Sequence, residues 1–461
     1  MTFQDAMAYL ETFADYERHP QAMREVKLER MRRLCGALGD PQRRFRSILV
    51  AGTNGKGSIC AMLYAMLRES PLRVGLYTSP HLEHLRERIR VWTDGPQSGE
   101  WSHGEDWISE EEFVACLEAM QPAIETVRRE SPEGPPTHFE LVTALAFRYF
   151  QQRRVDVAVL EVGLGGRLDA TNVVHQELSL IAPIDVDHAE LLGRDPAAVA
   201  REKAGIIKPR QTVITCAQPE PILAVVREAC EAHGASLLRC GEDVTVRIQR
   251  HSLDGLQLTI TGVRGIYESV DVPLVGRHQA QNAAVAVAAL ELLSGTGAPH
   301  GLVAQGLAHV AWPGRLEAVH EAPLVLLDGA HNPHAAGALR EALTELCAGR
   351  RIHLLIGTSS DKAVEGLGKV LGPLAVSATC TQSRHPRALD PVELARRLRP
   401  FCDDVHVMSD AVDAYTYLLN AVAATDAIVV TGSLFLVGAL RAALRQAHVR
   451  PRRPSPLQTP A

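Results

Sequence analysis

The segment "GTNGKGS" has the composition of a phosphate-binding loop, because it places glycines and a lysine between the apolar run "RSILVA" and the helical pattern "ICAMLYAMLRES". Such a loop can turn backbone N–H groups toward a phosphate, and the following helix N-terminus adds a favourable partial charge. Lys56 would supply a full charge at the β- and γ-phosphates, and Ser58 could cap the helix or approach a metal. The spacing departs from GxxxxGK[ST], since two residues separate Gly52 from Gly55 and Gly57 follows the lysine. A glycine-rich turn with a solvated lysine is the alternative.

Two further candidates stand at the ends of apolar runs. Ser79 lies in "TSPH" after "VGLY", where a hydroxyl can ligate Mg²⁺, although the spacing alone favours an ordinary Ser-Pro turn. Glu161 closes "VAVLEV" and precedes a glycine-rich segment. A buried carboxylate is costly unless a cation balances it, and that cation is either phosphate-bound Mg²⁺ or Arg167.

Four more residues are candidates by position alone. His188 follows the run "LSLIAPI", Asp328 ends "PLVLLD", Arg315 lies in "WPGRLE", and Lys203 lies in "AREKAGIIKP". Each also has an ordinary interpretation as a core or surface histidine, a strand-end carboxylate, a surface arginine beside a turn, or a solvated helix lysine. The residues themselves leave these alternatives open.

Composition bounds the class of protein. The chain has 461 residues, 46% hydrophobic and 22% charged, with a net charge of -6, which indicates a globular protein of two or three domains. A nucleic-acid partner is not expected without a basic excess, and no apolar run is long enough to span a membrane. The 9 cysteines contain no CxxC pair and indicate a reducing compartment, which favours a cytoplasmic protein.

The elements that must position these residues follow one arrangement. Short β-branched runs, such as "VDVAVLEV", "RIHLLIG" and "DAIVVTG", alternate with helical patterns. Continuous apolar runs suit parallel strands buried on both faces, and the alternation predicts open α/β sheets. Ligands bind beyond the carboxyl ends of such strands, so the polar residues that follow each run become site candidates.

The domain divisions are predicted from breaks in this arrangement. We expect an N-terminal domain over 1–297, a C-terminal domain over 298–449 and a disordered tail over 450–461. A β-meander is expected within 240–275, and the polar segment 94–107 is expected to form a mobile insertion near the substrate.

The chain resembles the folylpolyglutamate synthase/dihydrofolate synthase enzymes of the Mur ligase superfamily. Nine segments carry the resemblance in the family's order over roughly residues 45–340. They are "GTNGKGS", "TSPHL" with "ERI", "THFELVTALAF", "LEVGLGGRLDATN", "DHAELLG", "EKAGIIKP", "GRHQAQNAAVA", "WPGRLE" and "LDGAHNPHA". The resemblance implies a P-loop Mur-ligase ATPase domain with an open, mostly parallel sheet, and a C-terminal Rossmann-like α/β domain. It also identifies the loop as the family's variant nucleotide site.

The resemblance also implies a role for each matching residue. The implied ATP contacts are Gly55, Lys56, Gly57, Ser58, Asn282, Arg315, Asp328 and His331. The implied metal ligands are Ser79, Glu161, His188 and Lys203, the last as a carbamylated lysine. The implied catalytic groups are Lys56, His188 and Lys203. The implied contacts to the pterin-benzoate substrate are Thr137, His138, Phe139, Glu140, Leu168, Asp169 and Ala170.

The implied reaction is that of an ATP-dependent acid–amino-acid ligase. L-glutamate is added to dihydropteroate, to a reduced folate, or to both, through an acyl phosphate. The implied cofactors are ATP and Mg²⁺ at two sites, with K⁺ as a further candidate, and the expected form is a monomer whose C-terminal domain closes on the nucleotide. The alternatives are a folylpolyglutamate synthase alone, a cell-wall Mur ligase, and a nucleotide-binding protein without ligase chemistry.

Overall fold

The computed structural model describes residues 1–15, 18, 28–93, 105–185 and 195–446. His188, most of the polar insertion and the expected C-terminal tail therefore lie outside the described residues. The chain divides into two compact units. The first unit comprises Met1–Val246, Thr259–Val270 and Gln281–His309, and the second comprises Arg247–Leu258, Asp271–Ala280 and the chain from Val310 onward.

A seven-stranded sheet forms the centre of the first unit, with the strand order β3-β2-β4-β1-β5-β6-β7. All neighbouring strands run parallel except β2 and β3, which confirms the open, mostly parallel sheet. The four central strands are almost entirely buried, as their continuous apolar runs predict. The strands are β1 (Arg46–Ala51), β2 (Val74–Tyr77), β3 (Ile89–Trp92), β4 (Val157–Glu161), β5 (Leu178–Ile181), β6 (Thr212–Thr215) and β7 (Ser236–Arg239).

Helices cover this sheet and bury its apolar faces. One large hydrophobic cluster joins the sheet to the first, second, fourth and fifth helices through residues such as Leu10, Met31, Leu117, Phe147 and Leu160. The described helices are α1 (Phe3–Glu11), α2 (Leu28–Ala37), α3 (Lys56–Arg68), α4 (Glu110–Glu130), α5 (His138–Gln152), α6 (Pro196–Ala204), α7 (Glu220–His233), α8 (His278–Ser294) and α9 (His300–Ala308).

The segment between the seven-stranded sheet and α8 forms a three-stranded sheet in the order β10-β9-β8. Consecutive strands are neighbours in this order, so the expected meander is confirmed. Its strands are β8 (Thr245–Ser252), β9 (Gly255–Thr261) and β10 (Ile266–Val272).

A six-stranded sheet forms the centre of the second unit, in the order β11-β12-β16-β13-β14-β15. Only the β11–β12 pair is antiparallel among the described pairings, so the Rossmann-like α/β expectation is confirmed. Its strands are β11 (Glu317–Glu321), β12 (Leu324–Leu327), β13 (Ile352–Ile356), β14 (Ala375–Gln382), β15 (Val405–Asp410) and β16 (Ala427–Thr431). Its helices are α10 (Pro333–Leu346), α11 (Val364–Leu371), α12 (Pro391–Leu398), α13 (Ala411–Ala421) and α14 (Leu434–Gln446).

All nine cysteines are free and buried, consistent with their interpretation as small core residues. Within the described part of the chain, none of the helices combines the length and apolar character that crossing a bilayer requires.

Candidate active site

The glycine-rich loop joins β1 to α3 and is shaped by close backbone approaches. Gly55 is the N-cap of α3 with φ of 86°, and a Cβ there would lie 2.8 Å from Asn282 Oδ1. Gly52 has φ of 149°, and a Cβ there would lie 2.6 Å from the Cβ of Ala182, just after β5. Both positions therefore require glycine, because a side chain would meet a neighbour and strain the backbone. The loop thus brings Asn282 against its own backbone, while the implied contact of Asn282 with ATP stays a prediction.

The first turn of α3 begins at Lys56, directly after the glycine cap. The Lys56 Nζ donates to the carbonyls of Gly52 and Thr53, both at 3.2 Å. The suggestion that Ser58 caps the helix is wrong, because Ser58 is the third helical residue, beyond Gly57, and its side chain is buried. A glycine cap offers no side-chain acceptor, so the first N–H groups of α3 keep the directions that suit an anion.

The carboxyl ends of two neighbouring strands bring Ser79 and Glu161 together. Glu161 ends β4, opposite Val50 of β1, and Ser79 follows β2 on the other side of β4. The Ser79 backbone N–H donates to Glu161 Oε2 at 3.1 Å, and both residues are buried. Arg167, the alternative partner for Glu161, forms an ion pair with Glu202, with 2.9 Å between Nη2 and Oε1. The geometry therefore favours the interpretation of Glu161 as a site carboxylate.

Lys203 joins the loop from a distant part of the chain. It lies on α6, is buried, and its Nζ donates to the Gly52 carbonyl at 2.7 Å. Close packing fixes α6 here, since a Cβ at Gly166 would lie 2.7 Å from the carbonyl oxygen of Glu202. The carbonyl of Gly52 thus receives both Lys56 and Lys203. An ordinary solvated helix lysine would not be buried in this way.

The segments "THFE" and "LDA", which the resemblance implies as contacts of the acceptor substrate, are called the acceptor segments below. "THFE" begins α5, and two of its residues form the helix cap. The Thr137 hydroxyl accepts from the Glu140 N–H at 3.2 Å, and Glu140 Oε2 accepts from the Thr137 N–H at 2.8 Å. Glu140 Oε2 also accepts from Arg30 Nε at 2.7 Å, in a pair whose side chains are 3% and 6% exposed. His138 is buried, and its backbone N–H donates to the Ala14 carbonyl at 2.9 Å. Arg30 was not found from the sequence, because it lies far from any motif.

The second acceptor segment, "LDA", is organised around Asp169. Its Oδ2 accepts from the Leu164 N–H at 2.9 Å, and its Oδ1 accepts from the Thr171 N–H at 2.9 Å and from the Thr171 hydroxyl. Burial raises the pKa of the Asp169 carboxyl, while these hydrogen bonds lower it. Leu168 is half-buried, and the buried Ala170 starts a 3-10 turn over Ala170–Val173.

Phe139 packs against the loop that follows β4. A Cβ at Gly163 would lie 2.4 Å from Phe139 Cζ, so the ring lies directly against the backbone of the loop after β4. The Tyr77 ring is a neighbour of the Phe139 ring, with 6.2 Å between the two ring centroids. Phe139 therefore packs against the loop after β4, and that loop is in turn bonded to Asp169 through the Leu164 N–H.

The second unit groups the remaining candidates at the carboxyl end of β12. Asp328 accepts from the N–H groups of Leu316 and Ala330, both at 2.9 Å, and burial raises its pKa while Arg315 lowers it. A Cβ at Gly329 would lie 3.0 Å from Arg315 Nη1. His331 Nδ1 lies 2.9 Å from the Gly329 carbonyl oxygen. Arg315, Asp328 and His331 therefore form one cluster within this unit.

The metal-ligand set is only partly described. Glu161 and Ser79 offer the hard oxygen atoms that Mg²⁺ prefers, and their adjacency fits such an ion. His188 lies outside the described residues. Over the described ranges, there is no group of three or more histidine, cysteine, aspartate or glutamate residues that could hold a metal.

Two family models match the chain: the Mur ligase middle domain over residues 113–290 and the Mur ligase glutamate ligase domain over residues 314–434. A Mycobacterium tuberculosis protein named dihydrofolate synthase/folylpolyglutamate synthase is 36% identical, covering 92% of this chain and 91% of the relative. A Bacillus subtilis protein of the same name is 34% identical, covering 91% and 95%.

Solved structures give the same result. Mycobacterium tuberculosis folylpolyglutamate synthase complexed with ADP superposes with a TM-score of 0.86 at 34% identity, covering 96% of this chain and 98% of that one. An Escherichia coli FolC structure in complex with DHPP and ADP has a TM-score of 0.83 at 29% identity, covering 97% and 99%. Because both Mur ligase domains are matched and the relatives match over most of its length, the chain belongs to the folylpolyglutamate synthase/dihydrofolate synthase family of ATP-dependent Mur ligases.

Proposed function

We propose that this ligase adds L-glutamate both to dihydropteroate and to reduced folates, as a bifunctional dihydrofolate synthase/folylpolyglutamate synthase. The observation that carries the proposal is the convergence of Lys56 and Lys203 on the Gly52 carbonyl, at the sheet edge where Glu161 meets Ser79. Relatives that are named for both activities support the bifunctional form, and the match of the two acceptor segments to the family supports a pterin substrate.

The chemistry must overcome the poor reactivity of a carboxylate. Its negative charge deters a nucleophile, so transfer of the γ-phosphoryl group from ATP converts it to an acyl phosphate with a good leaving group. The amine of L-glutamate then attacks the acyl carbon, and the tetrahedral intermediate collapses with release of phosphate. Positioning and electrostatic stabilisation supply most of the catalysis in such transfers.

The glycine-rich loop and Lys56 would bind the phosphates of ATP. The first N–H groups of α3 and the backbone of the loop hold the phosphate oxygens, and Lys56 neutralises negative charge as the phosphoryl group moves. Lys56 needs only to exchange its carbonyl partners for phosphate oxygens, since its Nζ already lies at the loop. Asn282, Arg315, Asp328 and His331 are proposed ATP contacts on the strength of the family match.

We propose two Mg²⁺ sites, with K⁺ as a further candidate. Mg²⁺ would supply charge neutralisation and orientation of the phosphate oxygens. Ser79 and Glu161 would hold the first ion, and His188 with carbamylated Lys203 would hold the second. Addition of CO₂ to Lys203 replaces an ammonium, which repels a cation, with an anion bearing hard oxygens.

The domain roles and the cellular form are part of the same proposal. Residues 1–297 would bind the nucleotide, residues 298–449 would serve as the glutamate ligase domain, and segments 137–140 and 168–170 would bind the pterin. Support for the small-molecule substrates comes from similar structures that were solved in complex with ADP, AMPPCP or DHPP. We propose a cytoplasmic monomer without a nucleic-acid partner.

A phosphate-release assay tests the function. The purified protein with ATP, Mg²⁺ and L-glutamate should release phosphate with dihydropteroate and, separately, with tetrahydrofolate, and the product should gain one glutamate by mass. Activity with tetrahydrofolate alone would restrict the function to folylpolyglutamate synthesis. Release only with a UDP-muramyl substrate, or ATP binding without release on any acceptor, would overturn the proposal.

A further inference from the structure

We propose that Arg30 and Glu140 are positioning residues for the pterin acceptor, acting through Phe139. Their buried ion pair fixes the first turn of α5, so that the Phe139 ring stays against Gly163 in the loop after β4. The proposal rests on the proposed function only in taking the acceptor to be a pterin. It gives Glu140 a supporting role in place of the direct contact that its motif suggested.

The contacts of Glu140 show what its carboxylate does. A single oxygen, Oε2, accepts from Arg30 Nε at 2.7 Å and from the Thr137 N–H at 2.8 Å. The carboxylate charge is balanced by a guanidinium, and the oxygen that carries both bonds lies inside the protein. A carboxylate held in this way orients the helix N-terminus and is poorly placed to exchange partners with a substrate.

Arg30 also forms a hydrogen bond with the chain that precedes α5. Its Nη1 donates to the Glu133 carbonyl at 3.1 Å, so one guanidinium holds both the approach to the helix and its third residue. The planar fork of arginine makes two such bonds in fixed directions, which a lysine cannot reproduce.

The helix that carries Arg30 touches both acceptor segments. α2 packs against α5 and against the 3-10 turn Ala170–Val173, which begins at the end of the "LDA" segment. Phe139 in turn meets Gly163, and the neighbouring Leu164 N–H donates to Asp169. An error in the position of the first turn of α5 would therefore displace the Phe139 ring relative to the loop that Asp169 organises.

The energetics favour a positioning role over a purely stabilising one. A buried ion pair contributes little net stability, because the cost of removing two charges from water offsets their attraction. Apolar or neutral residues of similar size usually serve stability equally well, whereas removing one partner leaves an uncompensated charge. What the pair adds is a defined orientation, which matters where a ring must meet a planar substrate.

The test separates orientation from stability. The variants are Arg30→Met, Glu140→Gln and the double variant, with Arg33→Met as the matched control. Arg33 lies on the same helix and pairs with Glu133 at 3.1 Å, but its side chain is 46% exposed. Steady-state KM for dihydropteroate or tetrahydrofolate, KM for ATP, and the melting temperature are measured for each.

We expect the acceptor KM to rise by about tenfold or more in both single variants and in the double variant, since small displacements of positioning groups have effects of that order. The KM for ATP should change little. The melting temperature should fall in the single variants and recover in the double variant, where neither charge is left unpaired. Arg33→Met should leave all three quantities close to those of the wild type.

Recovery of both the melting temperature and the acceptor KM in the double variant would overturn the proposal, because the pair would then only stabilise the fold. If the single variants do not fold, Arg30→Lys replaces them: it keeps the charge but not the fork, and an unchanged acceptor KM would contradict the proposal. If the wild type releases no phosphate, the proposed function fails separately. Equilibrium binding of dihydropteroate then decides. Weaker binding by the variants than by the wild type supports positioning, whereas equal binding, or no binding by the wild type itself, excludes it.

Discussion

The edge of the seven-stranded sheet at the carboxyl ends of β1, β2 and β4, and the two acceptor segments 137–140 and 168–170, hold their charged side chains in different ways. At the edge, Lys56 and Lys203 donate to the neutral carbonyl of Gly52. In the acceptor segments, the Glu140 carboxylate meets the Arg30 guanidinium, and the Asp169 carboxylate receives N–H and O–H donors from its own loop. Both regions carry family motifs, but the lysines of the first meet a neutral acceptor, whereas the carboxylates of the second are paired with donors of the protein itself.

The difference indicates which charges are available to a ligand. A carbonyl orients an ammonium without cancelling its charge, so Lys56 keeps the attraction that a phosphate requires. A carboxylate bonded to a guanidinium has its charge balanced within the protein, so it acts by fixing the position of the backbone around it and not by attracting a ligand. Substitutions at the edge should therefore lower turnover, and substitutions in the acceptor segments should weaken acceptor binding.

The largest expected effect is at Lys203. Replacement by alanine removes the group that reaches Gly52, and we expect turnover to fall by at least about a hundredfold, the low end for catalytic groups. Arg201→Ala is the control, because Arg201 is exposed on the same helix. Initial rates at saturating Mg²⁺ decide the matter, and near-normal turnover of Lys203→Ala would contradict the assigned role.

Glu161→Gln should act through the metal. The amide keeps an oxygen for the Ser79 N–H but loses the charge that favours Mg²⁺, so the Mg²⁺ concentration for half-maximal rate should rise by about tenfold to a hundredfold. Glu202→Gln provides the comparison, because Glu202 pairs with the exposed Arg167. A magnesium titration that leaves the Glu161→Gln midpoint unchanged would remove Glu161 from the metal site.

The sequence predicted the edge better than it predicted the acceptor segments, for a physical reason. Parallel strands end at one edge, so a polar residue that follows a buried run, such as Ser79 or Glu161, can be placed without knowing the fold in detail. Lys203 could not be placed in this way, because it lies in a helical sequence pattern where lysine is ordinarily exposed to solvent. Only the resemblance identified it as a site residue, and the structure shows that it is buried and not solvated.

Other features depended on tertiary contacts that no local pattern records. Arg30 reaches Glu140 across 110 positions of sequence, and neither neighbourhood signals the other. The edge strands β3, β7 and β11 were not predicted; β7 and β11 have few buried residues and no continuous apolar run. The proposed cap at Ser58 failed because Gly55, with its positive φ, starts the helix earlier.

Gly163→Ala tests the contact between Phe139 and the loop after β4. A methyl group would lie 2.4 Å from Phe139 Cζ, so the ring or the loop must move. We expect a loss of about 1–3 kcal/mol in the free energy of unfolding, typical of overpacking, and a raised acceptor KM with an unchanged KM for ATP. Chemical denaturation and steady-state kinetics measure the two effects. An equal rise in both KM values would show that the loop serves the nucleotide as much as the acceptor.

The smallest expected effect comes from Gly36→Ala, on the helix that carries Arg30. Gly36 is exposed within α2, and a Cβ there meets no atom within 4 Å. Alanine should stabilise the fold by about 0.5–1 kcal/mol, because glycine loses more backbone entropy in a helix. Denaturant unfolding measures the gain, and the acceptor KM should remain that of the wild type. A raised acceptor KM in this variant would mean that any change in the α2 backbone affects acceptor binding. The effect could then not be assigned to the ion pair between Arg30 and Glu140.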